Sequence, residues 1–206
     1  MSVLVPVVIE QTPNGERSYD IYSRLLKDNI VFLGSGFDDQ MANSIISQLL
    51  FLDNQNPGQP IRMYINSPGG SVYSGLGIYS TMQAIKSPVH TIVLGLAASM
   101  GSFIANAGEA GHRYVLTEST TMVHRVSSGT RGTSGTVHEQ DLQFEDAKRS
   151  HEETHRLNKR LTEIYAKHNS KGKTYEEFHD IMKYDTYLSP EDAVNLGVAD
   201  KIIDSI

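Results

Sequence analysis

The chain contains no cysteine. That excludes disulfides, thiolate–zinc sites and cysteine nucleophiles, and it suits a reducing compartment. A surplus of basic charge is missing too: 18 Lys and Arg against 24 Asp and Glu leave a formal charge of −6. Nucleic acid is therefore not an expected partner. Long apolar runs are also absent. Between Lys86 and Glu109 there is no formal charge, but Ser, Thr, Asn, His and Gly interrupt the stretch, so it falls short of a lipid-facing span. The start, MSVLVPVVIEQ, carries no basic residue and meets Glu10 early, so no secretory signal and no membrane association are expected. With neither an internal repeat nor a long low-complexity tract, the expectation is one soluble domain over residues 1–206, cytoplasmic or in an equivalent organelle or host compartment.

What is present alternates between two periods. Short apolar runs at 29–34, 61–65 and 89–95 read as strands. Helical spacing follows each of them: Met41, Ile45, Leu49 and Phe51–Leu52 in 38–53, then 71–85, then a short helix over 99–108. Strands at 113–116 and 120–124 come next, and such alternation predicts a parallel α/β core. SSGTRGTSG (127–135) reads as an extended edge. From Thr136 to Asn169 the charge is dense, with a thin apolar stripe of Leu142, Leu157, Leu161 and Ile164, so a projecting helix that meets a partner subunit is expected. Ser189-Pro190-Glu191-Asp192 is a helix start with a hydroxyl cap, and a final strand lies in VADKII.

One string suggests metal chemistry. HEETH (151–155) fits H-E-x-x-H, in which two histidines share a helix face and bind zinc. Its flanks carry Lys148, Arg149, Arg156, Lys159 and Arg160, which oppose a dication. No downstream H-x-x-G-x-x-H supplies a third ligand, and nothing around Glu176 resembles a ligand helix. We read it as a solvated helix face and expect no metal site.

A different stretch carries nucleophile chemistry. Ala97-Ala98-Ser99-Met100-Gly101 is small-x-Ser-x-Gly at a strand-to-helix junction, the pattern of a nucleophile elbow that throws a hydroxyl off the end of a sheet. Ser102 is the weaker competitor. NSPGG (66–70) ends a neighbouring strand, where two glycines let backbone N–H groups approach a ligand. Both segments fall beyond the carboxyl ends of strands, where open α/β sheets place their sites. A base is still needed. His138, His151, His155, His168 and His179 lie in the polar segment, His112 follows a turn, and His90 opens a strand at the far end. His124 ends its strand at the correct edge. The orienting acid stays open among Asp180, Asp185 and Asp192, because triads occur in unrelated chain orders.

ERSYDIYSRLL (16–26), YINSPGG (64–70), GLAASMG (95–101), MVH (122–124) and DTYLSPEDAVNLGVADKI (185–202) resemble, in the same order, segments of the ClpP family of serine peptidases (family S14). The resemblance implies a ClpP/crotonase-like α/β core of repeated ββα units with a projecting handle of strand plus long helix. It implies Ser99 as nucleophile, His124 as general base and Asp185 as the orienting carboxylate, with the Gly70 and Met100 N–H groups as oxyanion hole. Ser127, Ser128, Gly129 and Thr130 would receive substrate as an added β-strand. Arg62, Tyr64, Ile92, Leu94, Tyr114, Leu116 and Ile203 would form docking clefts for a hexameric AAA+ Clp ATPase of the ClpX, ClpA or ClpC type. The implied assembly is two stacked heptameric rings of this chain, with unfolded proteins as substrates. No cofactor is expected in this subunit, because ATP is consumed by the partner. Within the single domain, 1–18 would be an N-terminal axial segment, 19–124 and 185–206 a head, and about 125–184 a handle region with an insertion.

The chain departs from the family pattern in places. The interval from His124 to Asp185 is longer than usual, Lys183-Tyr184 stands where an acidic–arginine pair contacts the opposite ring, Arg62 replaces an aromatic, and Arg125-Val126 replaces Gln-Pro. Three other readings remain: a non-catalytic ring subunit that docks the ATPase, a zinc peptidase, and a crotonase-type acyl-CoA enzyme with a glycine-built oxyanion hole. The intact Ser99, His124 and Asp185 set argues against the first of these, and the last has no need of Ser99.

Overall fold

The computed structural model describes residues 5–13, 15–126 and 137–206; of 137–144 it describes the backbone only. The expected alternation is present, with boundaries shifted by a few residues. A hairpin, β1 (Val7–Thr12) and β2 (Gly15–Asp20), runs into helix α1 (Ile21–Leu26). Then come β3 (Ile30–Leu33), α2 (Asp39–Gln55), β4 (Ile61–Ser67), α3 (Val72–Ala84), β5 (Val89–Ala98) and α4 (Met100–Asn106). The chain continues through β6 (Arg113–Leu116), β7 (Thr120–Val123), α5 (Val137–His168), α6 (Tyr175–Ile181), β8 (Thr186–Leu188), α7 (Pro190–Leu196) and β9 (Lys201–Ile203).

Seven strands form one sheet in the order β3-β4-β5-β6-β9, with β7 pairing β5 and β8. Every pairing in it is parallel except β7 with β8. The central strand has two halves. The β4–β5 register slips between Ile65↔Val93 and Ser67↔Ala97, and the Asn66 side chain fills the irregularity by accepting from Leu96 N–H at 3.1 Å. Bulges of this kind bend a strand. The first half of β5 therefore pairs with β6 through Thr91–Val93, and the second half pairs with β7 through Leu96–Ala98. The bend gives the end of β5 a neighbour of its own, and that neighbour carries His124.

The helices start where their sequences carry caps. Asp38 accepts from Met41 N–H at 2.7 Å, and Ser189 with Asp192 completes a reciprocal capping box. Helix α2 buries Ala42, Ile45, Leu49 and Leu52. Phe51, expected on that stripe, faces outward and is 51% exposed, because it lies one residue off the three-and-four spacing. The larger difference is in α5. Its second half is not a projecting solvated helix: Leu157, Leu161, Ile164 and Tyr165 join the central core beside Phe103, Phe178 and Met182. A narrow stripe suffices to dock a helix when every member is buried, and only the first half, with 145–152 exposed, keeps the expected polar character. Leu142 and the expected edge segment 127–135 fall outside the described side chains. No described helix is long and apolar enough to cross a membrane.

Candidate active site

Between the end of β5 at Ala98 and the start of α4 at Met100, one residue turns the chain. Ser99 does so with φ 55° and ψ −119°, a region costly for any residue with a side chain. Its N–H donates to Met122 O at 2.9 Å, tying the turn to β7. The Ser99 hydroxyl does not cap the helix that it opens. It meets His124 Nε2 at 2.9 Å instead.

Strand register explains the meeting. Ala98 pairs with Met122 across β5–β7, and Val123 pairs with Thr186 across the antiparallel β7–β8. One step past those pairs, His124 stands between Ser99 and Asp185. Its Nδ1 lies 3.0 Å from Asp185 Oδ1. An ionised carboxylate only accepts, so Nδ1 carries the proton and Nε2 offers its lone pair to the serine O–H. The His124 side chain is 24% exposed and that of Asp185 61%, so the imidazole is open to a substrate.

The two glycines of NSPGG reach the same point. Gly69 has φ 90° and Gly70 φ 146°, conformations that favour glycine. A Cβ on Gly69 would sit 2.6 Å from Ser99 Cβ, and one on Gly70 2.5 Å from Phe37 O. Phe37 N–H donates to Gly69 O, and Ser71 N–H donates to Phe37 O, each at 2.9 Å. These bonds leave the N–H groups of Gly70 and Met100 with no acceptor among the described residues. Both line a cleft of about 240 Å³ together with Ser99 and His124. Val72, Phe103, Met122, Val126, Leu161 and Met182 supply apolar parts of its wall.

The other candidates lie elsewhere or are otherwise engaged. Ser102 is 2% exposed and bonded to the Ser99 and Met122 carbonyls at 2.8 and 2.7 Å. His90 stacks on His112 at 4.0 Å, and His168 meets the Tyr79 hydroxyl at 3.1 Å. His179 faces Arg125 at 3.2 Å. Asp192 is held in its capping box, while Asp180 is exposed on α6. His151 and His155 are exposed, with rings edge-on at 4.6 Å, and Glu176 is exposed on α6. Among the described residues, no group of three or more His, Asp or Glu side chains is placed to hold a metal ion.

The expected docking residues share one face of the sheet. Register aligns Tyr64, Ile92, Tyr114 and Lys201 in one row, with Arg62 opposite His90 and Leu116 opposite Ile203. Tyr64 and Ile92 are buried within the single chain, Leu94, Tyr114, Leu116 and Ile203 are half-buried, and Arg62 is exposed. Ser127, Ser128, Gly129 and Thr130 lie outside the described residues. Sequence reasoning singled out both glycines of NSPGG but missed the packing of Gly69 on Ser99 and the far wall of the cleft. For Gly69 the doubled glycine was the available signal. Leu161 was visible on the apolar stripe of α5 but nothing in the sequence placed it at the cleft, and Met182 lies beyond that stretch with no pattern of its own.

The family model for Clp protease matches residues 13–206. The ATP-dependent Clp protease proteolytic subunit of Deinococcus radiodurans is 50% identical over 204 residues, which cover 99% of this chain and 94% of that one. A match of this extent, on a sheet that joins a strained serine to a strand-end histidine, shows that the chain belongs to the Clp protease family.

Proposed function

We propose that this chain is the proteolytic subunit of an ATP-dependent Clp protease, a serine endopeptidase that cuts unfolded polypeptides into short peptides. The observation that carries the reading is the continuous contact from Ser99 Oγ to His124 Nε2 at 2.9 Å and from Nδ1 to Asp185 at 3.0 Å. Ser99 attacks the peptide carbonyl while His124 takes its proton, and Asp185 stabilises the imidazolium. The Gly70 and Met100 N–H groups receive the developing oxyanion, which lowers the barrier because they are fixed before charge appears. The imidazolium then protonates the leaving amine, and water enters by the same route to release the acyl-enzyme. The apolar side chains in the cleft wall suit an apolar residue on the acyl side of the cut, and Ser127 to Thr130 pair with the substrate backbone. None of these steps needs a cofactor in this subunit; ATP serves the partner.

That partner is an AAA+ Clp ATPase, docked on the face of Arg62, Tyr64, Ile92, Leu94, Tyr114, Leu116 and Ile203, and the assembly is two stacked heptameric rings in the cytoplasm or its equivalent. Tyr184 and Tyr187 support the stacking: they flank Asp185 at 73% and 65% exposure, and exposed aromatics of this kind favour burial against a partner. The domain is single, with the 7–20 hairpin as axial segment and the first half of α5 as the handle tip. A fluorophosphonate tests the chemistry. It should add once per chain, at Ser99, in the presence or absence of a chelator. Hydrolysis that stops with chelator, or an assembly that never labels, would discard the reading.

A further inference from the structure

Among the buried hydroxyls that the reaction scheme leaves unused, Ser102 and Tyr165 lie directly behind the elbow. Ser102 Oγ is 2.8 Å from Ser99 O, 2.7 Å from Met122 O and 2.7 Å from the Tyr165 hydroxyl. Tyr165 lies 3.4 Å from Ser99 O and is 2% exposed. Burial pushes its phenol well above the ordinary range, so it remains an O–H donor at every working pH. Carbonyl oxygens only accept, and each hydroxyl has one hydrogen. Phe103 N–H already serves Ser99 O at 3.0 Å. The arrangement that meets the shortest contacts has Tyr165 donating to Ser102 Oγ and Ser102 donating to Met122 O. Met122 O also takes the Ser99 N–H, and His124 follows two residues later.

We propose that Tyr165 and Ser102 are positioning residues, a hydroxyl relay from helix α5 that holds the strained Ser99 turn and the end of β7 in one fixed relation. The inference rests on Ser99 as nucleophile and His124 as base. Strain of the kind seen at Ser99 persists only where the surroundings over-determine it, and the relay clamps the two strand ends that carry nucleophile and base. It comes from α5, the helix whose first half leaves the head, so the position of that helix is linked to the geometry at Ser99. The Tyr165 ring is fixed independently, stacked on Phe178 at 5.5 Å and edge-on to Phe103 at 5.7 Å. Tyr165→Phe therefore removes the hydroxyl and keeps both the packing and the cleft wall.

Steady-state cleavage of a short peptide with an apolar residue before the scissile bond is the test, on the assembled protein, for Tyr165→Phe, Ser102→Ala and the double variant. Tyr165→Phe should lower kcat by about tenfold with KM within about twofold, and slow fluorophosphonate labelling in proportion. The double variant should lose no more than the worse single variant, because the two act as one unit. An unchanged kcat, a rise in KM alone, additive losses, or failure of Tyr165→Phe to assemble would each overturn the inference. Ser99→Ala run alongside separates the two readings: if it is inactive while Tyr165→Phe is normal, only the relay fails. If it stays active, the assignment of Ser99 fails.

Discussion

Position 99 carries backbone strain, and the residues around it leave no room for that strain to relax. Gly69 is the most sensitive neighbour. An added methyl would lie 2.6 Å from Ser99 Cβ and 2.7 Å from Ala98 O, and neither atom can swing aside. Gly69→Ala should cost about 1–3 kcal/mol of stability from its positive φ. A displacement of the elbow near 1 Å costs about a hundredfold in rate, so kcat should fall by that order, as read by peptide cleavage and thermal melting of the same preparation. A variant with normal kcat would show that the glycine serves the turn alone. Ser99 was legible in the sequence because the demands of an elbow are local: small neighbours, one hydroxyl, a strand before and a helix after. The choice of Asp185 over Asp180 and Asp192 was not legible from pattern, since it depends on the antiparallel register Val123↔Thr186 between strands far apart in the chain. Only the family resemblance picked it out.

Among the elements, strands β3 to β7 and β9 and helices α2, α3 and α4 followed from period and α7 from its cap, whereas the N-terminal hairpin, α1, α6, β8 and the place of α5 did not. Charge density over 137–168 describes its outer surface, and four buried residues decide its place. His168, at its end, shows what docking there costs. Burial, together with Lys167 and Arg113 nearby, holds its imidazole down to about 4 from the ordinary 6.5. The folded state thus keeps His168 neutral where the unfolded chain would protonate it. Its contribution is complete above about pH 6.5 and is lost progressively as pH falls toward 4. At most this is about 3 kcal/mol. His168→Gln, which can still meet the Tyr79 hydroxyl, should show a smaller loss of melting temperature between pH 7.5 and 4.5 than the parent chain. Parallel pH curves would contradict it.

At the scale of the whole molecule, the bent central strand gives one sheet two working ends. The carboxyl end of β5 and β7 holds the cleft, and the even-numbered face of β4, β5 and β6 holds the row through Tyr64, Ile92 and Tyr114. Which surfaces would meet other copies in the proposed assembly was not legible from the chain alone, because contacts between subunits impose no period on a sequence. The most direct test of the central claim is the turnover of a short apolar peptide by the assembled Ser99→Ala protein beside the parent. Three converged side chains predict that cleavage disappears while the particle keeps its size. Cleavage at the parent rate by an assembled Ser99→Ala protein would contradict the account.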